Sequence, residues 1–168
     1  MHDRSSADVP PPSTAGDERT TLVACLDYLR DRIVAKLDGV DEVSARRSSL
    51  PSGTTIYWLG THMSAVELNQ FQRVLDGWAD ADLIPPRPPP SAEDRMADVL
   101  SRYRVACAES RRVLATFDDL DTAGRGVDRR RGEQRTARWV LVRVIEETAR
   151  HAGHLDILRE WLDGSTGR

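Results

Sequence analysis

Apolar residues recur at helical spacing along most of the chain. Leu22, Leu26, Leu29, Ile33 and Leu37 fall on one stripe of a helix from about Asp17 to Leu37, and Gly39 ends it. Ser52-Gly53-Thr54 opens a second helix, with the stripe Ile56, Leu59, Met63 and Val66, continuing to about Trp78. A third starts at the capping run Ser91-Ala92-Glu93-Asp94 and carries Met96, Leu100, Tyr103, Cys107, Ser110 and Leu114 to about Phe117. The fourth starts near Thr136 and runs to Leu162, turning Leu141, Ile145, Thr148, Ala152, Leu155, Leu158 and Leu162 inward. Pro85-Pro86-Arg87-Pro88-Pro89-Pro90 is a stiff connector, because each proline lacks an N–H and fixes φ. Asp118 to Glu133, rich in Gly, Asp and Arg, is a loop.

No run alternates β-branched residues in the manner of a strand. The expectation is an all-α protein, a four-helix bundle with long connections between its helices. Residues 1–16, with Pro10-Pro11-Pro12, are expected to form a disordered leader, and residues 17–164 one bundle domain.

Composition narrows the partners. A net charge of −3 over 168 residues gives no pull toward nucleic acid or an anionic membrane. No stretch approaches the roughly 18 apolar residues that cross a bilayer, and the first sixteen residues lack the apolar core of a secretion signal. A cytoplasmic protein is expected. Lys36 is the only lysine, an arginine bias of the kind GC-rich coding produces. Cys25 and Cys107 form no CxxC pair and each sits in an apolar helical pattern, so both read as buried structural thiols.

The chemistry concentrates near the carboxy-terminal end. In Ile145-Glu146-Glu147-Thr148-Ala149-Arg150-His151-Ala152-Gly153-His154-Leu155, helical spacing projects Glu147, His151 and His154 together, on a strip otherwise apolar with Val144 and Leu158. A carboxylate and two imidazoles in that setting are paired, exposed or coordinating, since burying them bare is costly. On the second helix His62 falls between Leu59 and Val66, facing a core, and bundles build metal sites from such inward positions on facing helices.

Other groups have plainer readings. Glu146 points about 100° from Glu147 and pairs with Arg150 at i+4. Glu67, five residues from His62, rotates away from it. Arg129-Arg130-Arg131, with Arg125 and Arg135, reads as a solvated loop before it reads as an anion site. Trp58, Trp78, Trp139 and Trp161 near helix ends read as packing or dimer contacts, and His2 lies in the leader.

Two strings together resemble a known family: Leu50-Pro51-Ser52-Gly53 leading to Leu59-Gly60-Thr61-His62, and Glu146-Glu147-Thr148-Ala149-Arg150-His151-Ala152-Gly153-His154. With the helix order they resemble the DinB-like superfamily, in its actinobacterial branch of unassigned function. That branch is related to mycothiol-dependent transferases and to the amino-terminal domain of maleylpyruvate isomerase. The resemblance covers about Glu18 to Gly164. It implies a divalent metal, zinc, nickel or iron, held by His62, Glu147 and His151, with Glu147 where many relatives have a histidine. It gives His154, just past the triad, a supporting catalytic role, either orienting a ligand or accepting a proton.

The activity so implied is transfer of a small thiol, mycothiol, onto a small electrophile, by a homodimer. Maleylpyruvate isomerisation is not expected, because those enzymes add a carboxy-terminal domain that contributes to the site. Two readings stand beside the transferase. One is a non-catalytic metal-binding or dimeric interaction module. The other is an iron-dependent oxygenase, which two histidines and a carboxylate also suit but which is usually built on a β fold.

Overall fold

The computed structural model describes residues 10–13, 16–79, 95–128 and 132–166. Helix α1 spans Glu18–Leu37, the short α2 Glu42–Ala45, α3 Ile56–Glu67, α4 Met96–Leu114 and α5 Ala137–Asp163; a π-helical segment, Leu68–Leu75, continues α3 without a break. The described residues are all-helical apart from two isolated bridges, Ala123 with Thr136 and Asp128 with Glu133. Helix α1 lies along α5, α3 lies along α4, and α3 also meets α5. No helix among the described residues is long and apolar enough to cross a membrane.

Side-chain caps set where the helices begin. Asp17 accepts the Thr20 N–H at 2.8 Å to open α1, and Thr136 accepts that of Trp139 at 3.2 Å to open α5. Each satisfies a backbone donor that the first helical turn leaves without an internal partner. Thr55 does the same for Trp58 at 3.0 Å, so the second long helix starts at Ile56 rather than at Ser52. The third starts at Met96, whose N–H meets both oxygens of Glu42, at 2.8 and 3.0 Å; the short helix α2 thus supplies a carboxylate to the positive end of α4. The run Ser91–Asp94 expected to cap it, the proline connector, Arg129–Arg131, His2 and most of the leader lie outside the described residues. Gly164, in the left-handed region at φ 73°, closes α5.

The core has two halves. One gathers Ile33, Leu37, Leu59, Met63, Tyr103, Cys107, Leu155 and Leu158; the other gathers Leu26, Phe71, Leu75, Val113, Leu141 and Val144. Gly60 lets α3 approach its neighbours, since a Cβ there would stand 2.7 Å from Val99 Cγ1 and 3.1 Å from Leu37 Cδ1. On α5 the expected inward stripe holds at Leu141, Thr148, Ala152, Leu155 and Leu158, while Ile145 and Leu162 are only half-buried. Cys107 is buried as expected, but Cys25 is half-buried.

The Gly-rich loop after α4 is docked rather than free. Arg125 N–H donates to Leu75 O at 2.8 Å and Gly126 N–H to Val74 O at 3.1 Å, satisfying carbonyls at the end of the π-helical segment. Side chains at Gly124 or Gly126 would collide with that backbone, so the glycines permit the contact.

Candidate metal centre

Helices α3 and α5 bring three sequence-distant donors together. One ligand atom each from His62, Glu147 and His151 lies within 4.8 Å of the others. His62 Nε2 stands 3.5 Å, and His151 Nε2 3.4 Å, from the same Glu147 oxygen, Oε1. These separations exceed a good hydrogen bond. The two carboxylate-to-imidazole separations match donors each about 2.1 Å from a shared ion at a near-tetrahedral angle, which puts such donors about 3.4 Å apart, while the three donor atoms together span up to 4.8 Å. Two imidazoles and one carboxylate are a donor set that suits a borderline divalent cation.

Placement follows from local packing. His151 is buried on the inner face of α5 beside Thr148, Ala152 and Leu155, and Glu147 lies one turn earlier, half-buried. His62 is half-buried and its ring stacks on Trp58, one turn before it on α3, with centroids 4.9 Å apart and planes 10° from parallel. Among the described residues His62 Nδ1 is buried without a hydrogen-bond partner, and the ring rests on the indole face. Trp58 was legible in the sequence only as a packing residue; its i, i+4 spacing to His62 carried the signal.

Charge favours ligation at neutral pH. Burial works to raise the Glu147 carboxyl, but Arg143, His151 and His62 outweigh it and hold the group below its ordinary range. Burial, then the neighbouring His62, push His151 below the usual imidazole value despite the opposing pull of Glu147. An anionic carboxylate and a neutral imidazole are the forms a cation takes.

Around the triad stand further groups. His154 is exposed, and its Nδ1 lies 3.2 Å from His151 Nδ1. Arg143 Nη1 lies 2.9 Å from Glu147 Oε2, and Glu146 pairs with Arg150, as expected, and with Arg143.

Glu67 does turn away from the site, into a fully buried ion pair the sequence did not disclose. Arg30 Nε and Nη2 reach its two oxygens at 2.8 and 2.6 Å, and Arg30 also meets Asp27 at 2.9 Å. Burial, reinforced by the Glu67 carboxylate, pushes the Cys107 thiol up to about 12.

The sequence profile of the family described as mycothiol S-transferase matches residues 21–164. The chain belongs to the mycothiol S-transferase family. The matched span contains α1 to α5 almost whole, and with them all three donors and His154. Among solved structures, a DinB-like protein from Bacillus cereus is similar at TM-score 0.60 and 16% identity, over 84% of this chain and 91% of that one. At that identity the likeness shows the fold, which is DinB-like as expected. No curated protein matches the chain.

Proposed function

We propose that this protein holds a divalent ion, zinc, nickel or iron, between His62, Glu147 and His151 and transfers mycothiol to small electrophiles. The convergence of both Nε2 atoms on Glu147 Oε1, in a chain of this family, carries the reading. Three protein donors leave coordination positions open, the mark of a reactive rather than a purely structural site. When bound, the ion supplies the Lewis acidity that makes a thiol acidic enough to ionise at neutral pH.

The protein's own groups divide the remaining work. With His151 holding the ion through Nε2, its proton would sit on Nδ1 and be donated to His154 Nδ1, 3.2 Å away. That assignment puts the proton of His154 on Nε2, and makes His154 the residue that fixes the tautomer and angle of His151. Trp58 covers one face of His62 and keeps water from it. The thiol proton passes to solvent, the sulfur pair forms a new C–S bond, and the leaving group departs with its own electron pair.

No protein thiol takes that part. Cys107 is held protonated by burial, and neither cysteine belongs to the triad. The reading includes residues 17–164 as the working domain and a cytoplasmic homodimer as the working form. Exposed Val142, Ile157 and Trp161 on α5 offer apolar area for such a contact.

Elemental analysis of the purified protein, paired with conjugation of mycothiol to monochlorobimane, tests the reading. Bound metal, turnover abolished by chelator and turnover restored by divalent cation are expected. Metal without turnover makes the protein a non-catalytic binding module, and equal turnover in the metal-free protein overturns the mechanism.

A further inference from the structure

The two oxygens of Glu147 have different neighbours. Oε1 faces both imidazoles, at 3.4 and 3.5 Å, while buried Oε2 lies 2.9 Å from Arg143 Nη1, an ion pair that lacks hydrogen-bond geometry. Arg143 precedes Glu147 by four residues on α5, so the two lie on one face a turn apart. The guanidinium is about one-third exposed and the carboxylate 12% exposed. Arg143 is itself steered by Glu146, which a second arginine, Arg150, holds from the next turn.

We propose that Arg143 is a positioning residue that reserves Oε2 and presents Glu147 to the cation through Oε1 alone. The inference rests on the metal reading above. A carboxylate binds a cation through one oxygen or two, and the choice decides how many positions remain for thiol and electrophile. A guanidinium on Oε2 competes with the cation for that oxygen and leaves Oε1 aimed between the two Nε2 atoms. Glu146 and Arg150 form the outer members of a row on successive turns, which keeps Arg143 pointed at Glu147 rather than at water. Arg143 pairs with the carboxylates of Glu146 and Glu147 and acts through Glu147.

Arg143→Met removes the guanidinium and keeps most of the side-chain length. Its zinc affinity, measured by competition with a chelating dye, is expected to fall about 10- to 100-fold, the usual effect of losing a group that orients a ligand. The visible absorption of the cobalt-substituted protein is expected to change in intensity as Glu147 alters its binding mode. Arg143→Lys should recover part of both, since it keeps the charge without the planar fork. Glu146→Gln, which weakens the outer pair that steers Arg143, should lower zinc affinity less than Arg143→Met does.

Melting of the metal-free Arg143→Met protein should match wild type, because a partly exposed pair adds little stability. Wild-type zinc affinity and cobalt spectra retained in Arg143→Met would overturn the role of Arg143. Failure of the wild-type protein to bind zinc or cobalt would instead overturn the metal reading itself.

Discussion

His154 and His151 meet through like atoms, Nδ1 to Nδ1 at 3.2 Å, so an exposed imidazole is tied to a buried one. Only one of the two can carry the shared proton, and the proposed ligation at His151 Nε2 would assign it to His151. His154→Ala, which removes the acceptor, should weaken metal binding about 10-fold or more. His154→Gln offers a carbonyl oxygen to the same N–H and should keep most of the metal. Metal loss in His154→Gln equal to that of a ligand variant would make His154 a direct ligand.

His151→Ala should lose metal sharply while the helical signal in circular dichroism stays near wild type. The side chain sits at one position of a 27-residue helix whose core contacts at Leu141, Val144, Leu155 and Leu158 remain. A full equivalent of metal in the purified variant would remove His151 from the site.

The two cysteines should differ in reactivity. Cys25 is half-buried and Cys107 is buried with its thiol held near 12. At pH 8 roughly one Cys107 in ten thousand is thiolate, so a thiol-reactive dye should label Cys25 in the native protein and Cys107 only on unfolding. Cys25→Ser and Cys107→Ser should leave thiol transfer largely intact. Loss of transfer in either variant would point to a protein nucleophile.

Arg30 and Glu67 should be strongly coupled in stability. Glu67→Leu leaves the Arg30 guanidinium buried with only Asp27 beside it and should cost about 3 kcal/mol in urea unfolding. Replacing both, Arg30→Met with Glu67→Leu, should recover most of that. Additive losses in the double-mutant cycle would show that the pair does not interact as the geometry states.

Association should appear as twice the 18.8 kDa chain mass in light scattering. If the outer face of α5 forms the contact, Trp161→Arg should shift the mass toward the monomer. A monomeric mass at micromolar concentration, independent of loading, would rule out the dimer.

The period of apolar positions by itself determined the all-helical class, the long helices and the inward stripe of α5, because burial of one face is a local property of spacing. The same logic placed Glu147, His151 and His154 on one side of one helix, and the family strings joined His62 to them. Other features depended on contacts between residues far apart in sequence. The start of α4 on the Glu42 carboxylate, the docking of Gly124 and Gly126 on the π-helical segment, and the burial of Glu67 against Arg30 have no local signature. Within the site, spacing grouped the three α5 side chains but could not rank them. Packing buried His151, left His154 in solvent, and set Arg143 on the far oxygen of Glu147. Burial along α5 is set by the helices packed against it, and helix-to-helix packing is where tertiary structure decides what helical periodicity leaves equivalent.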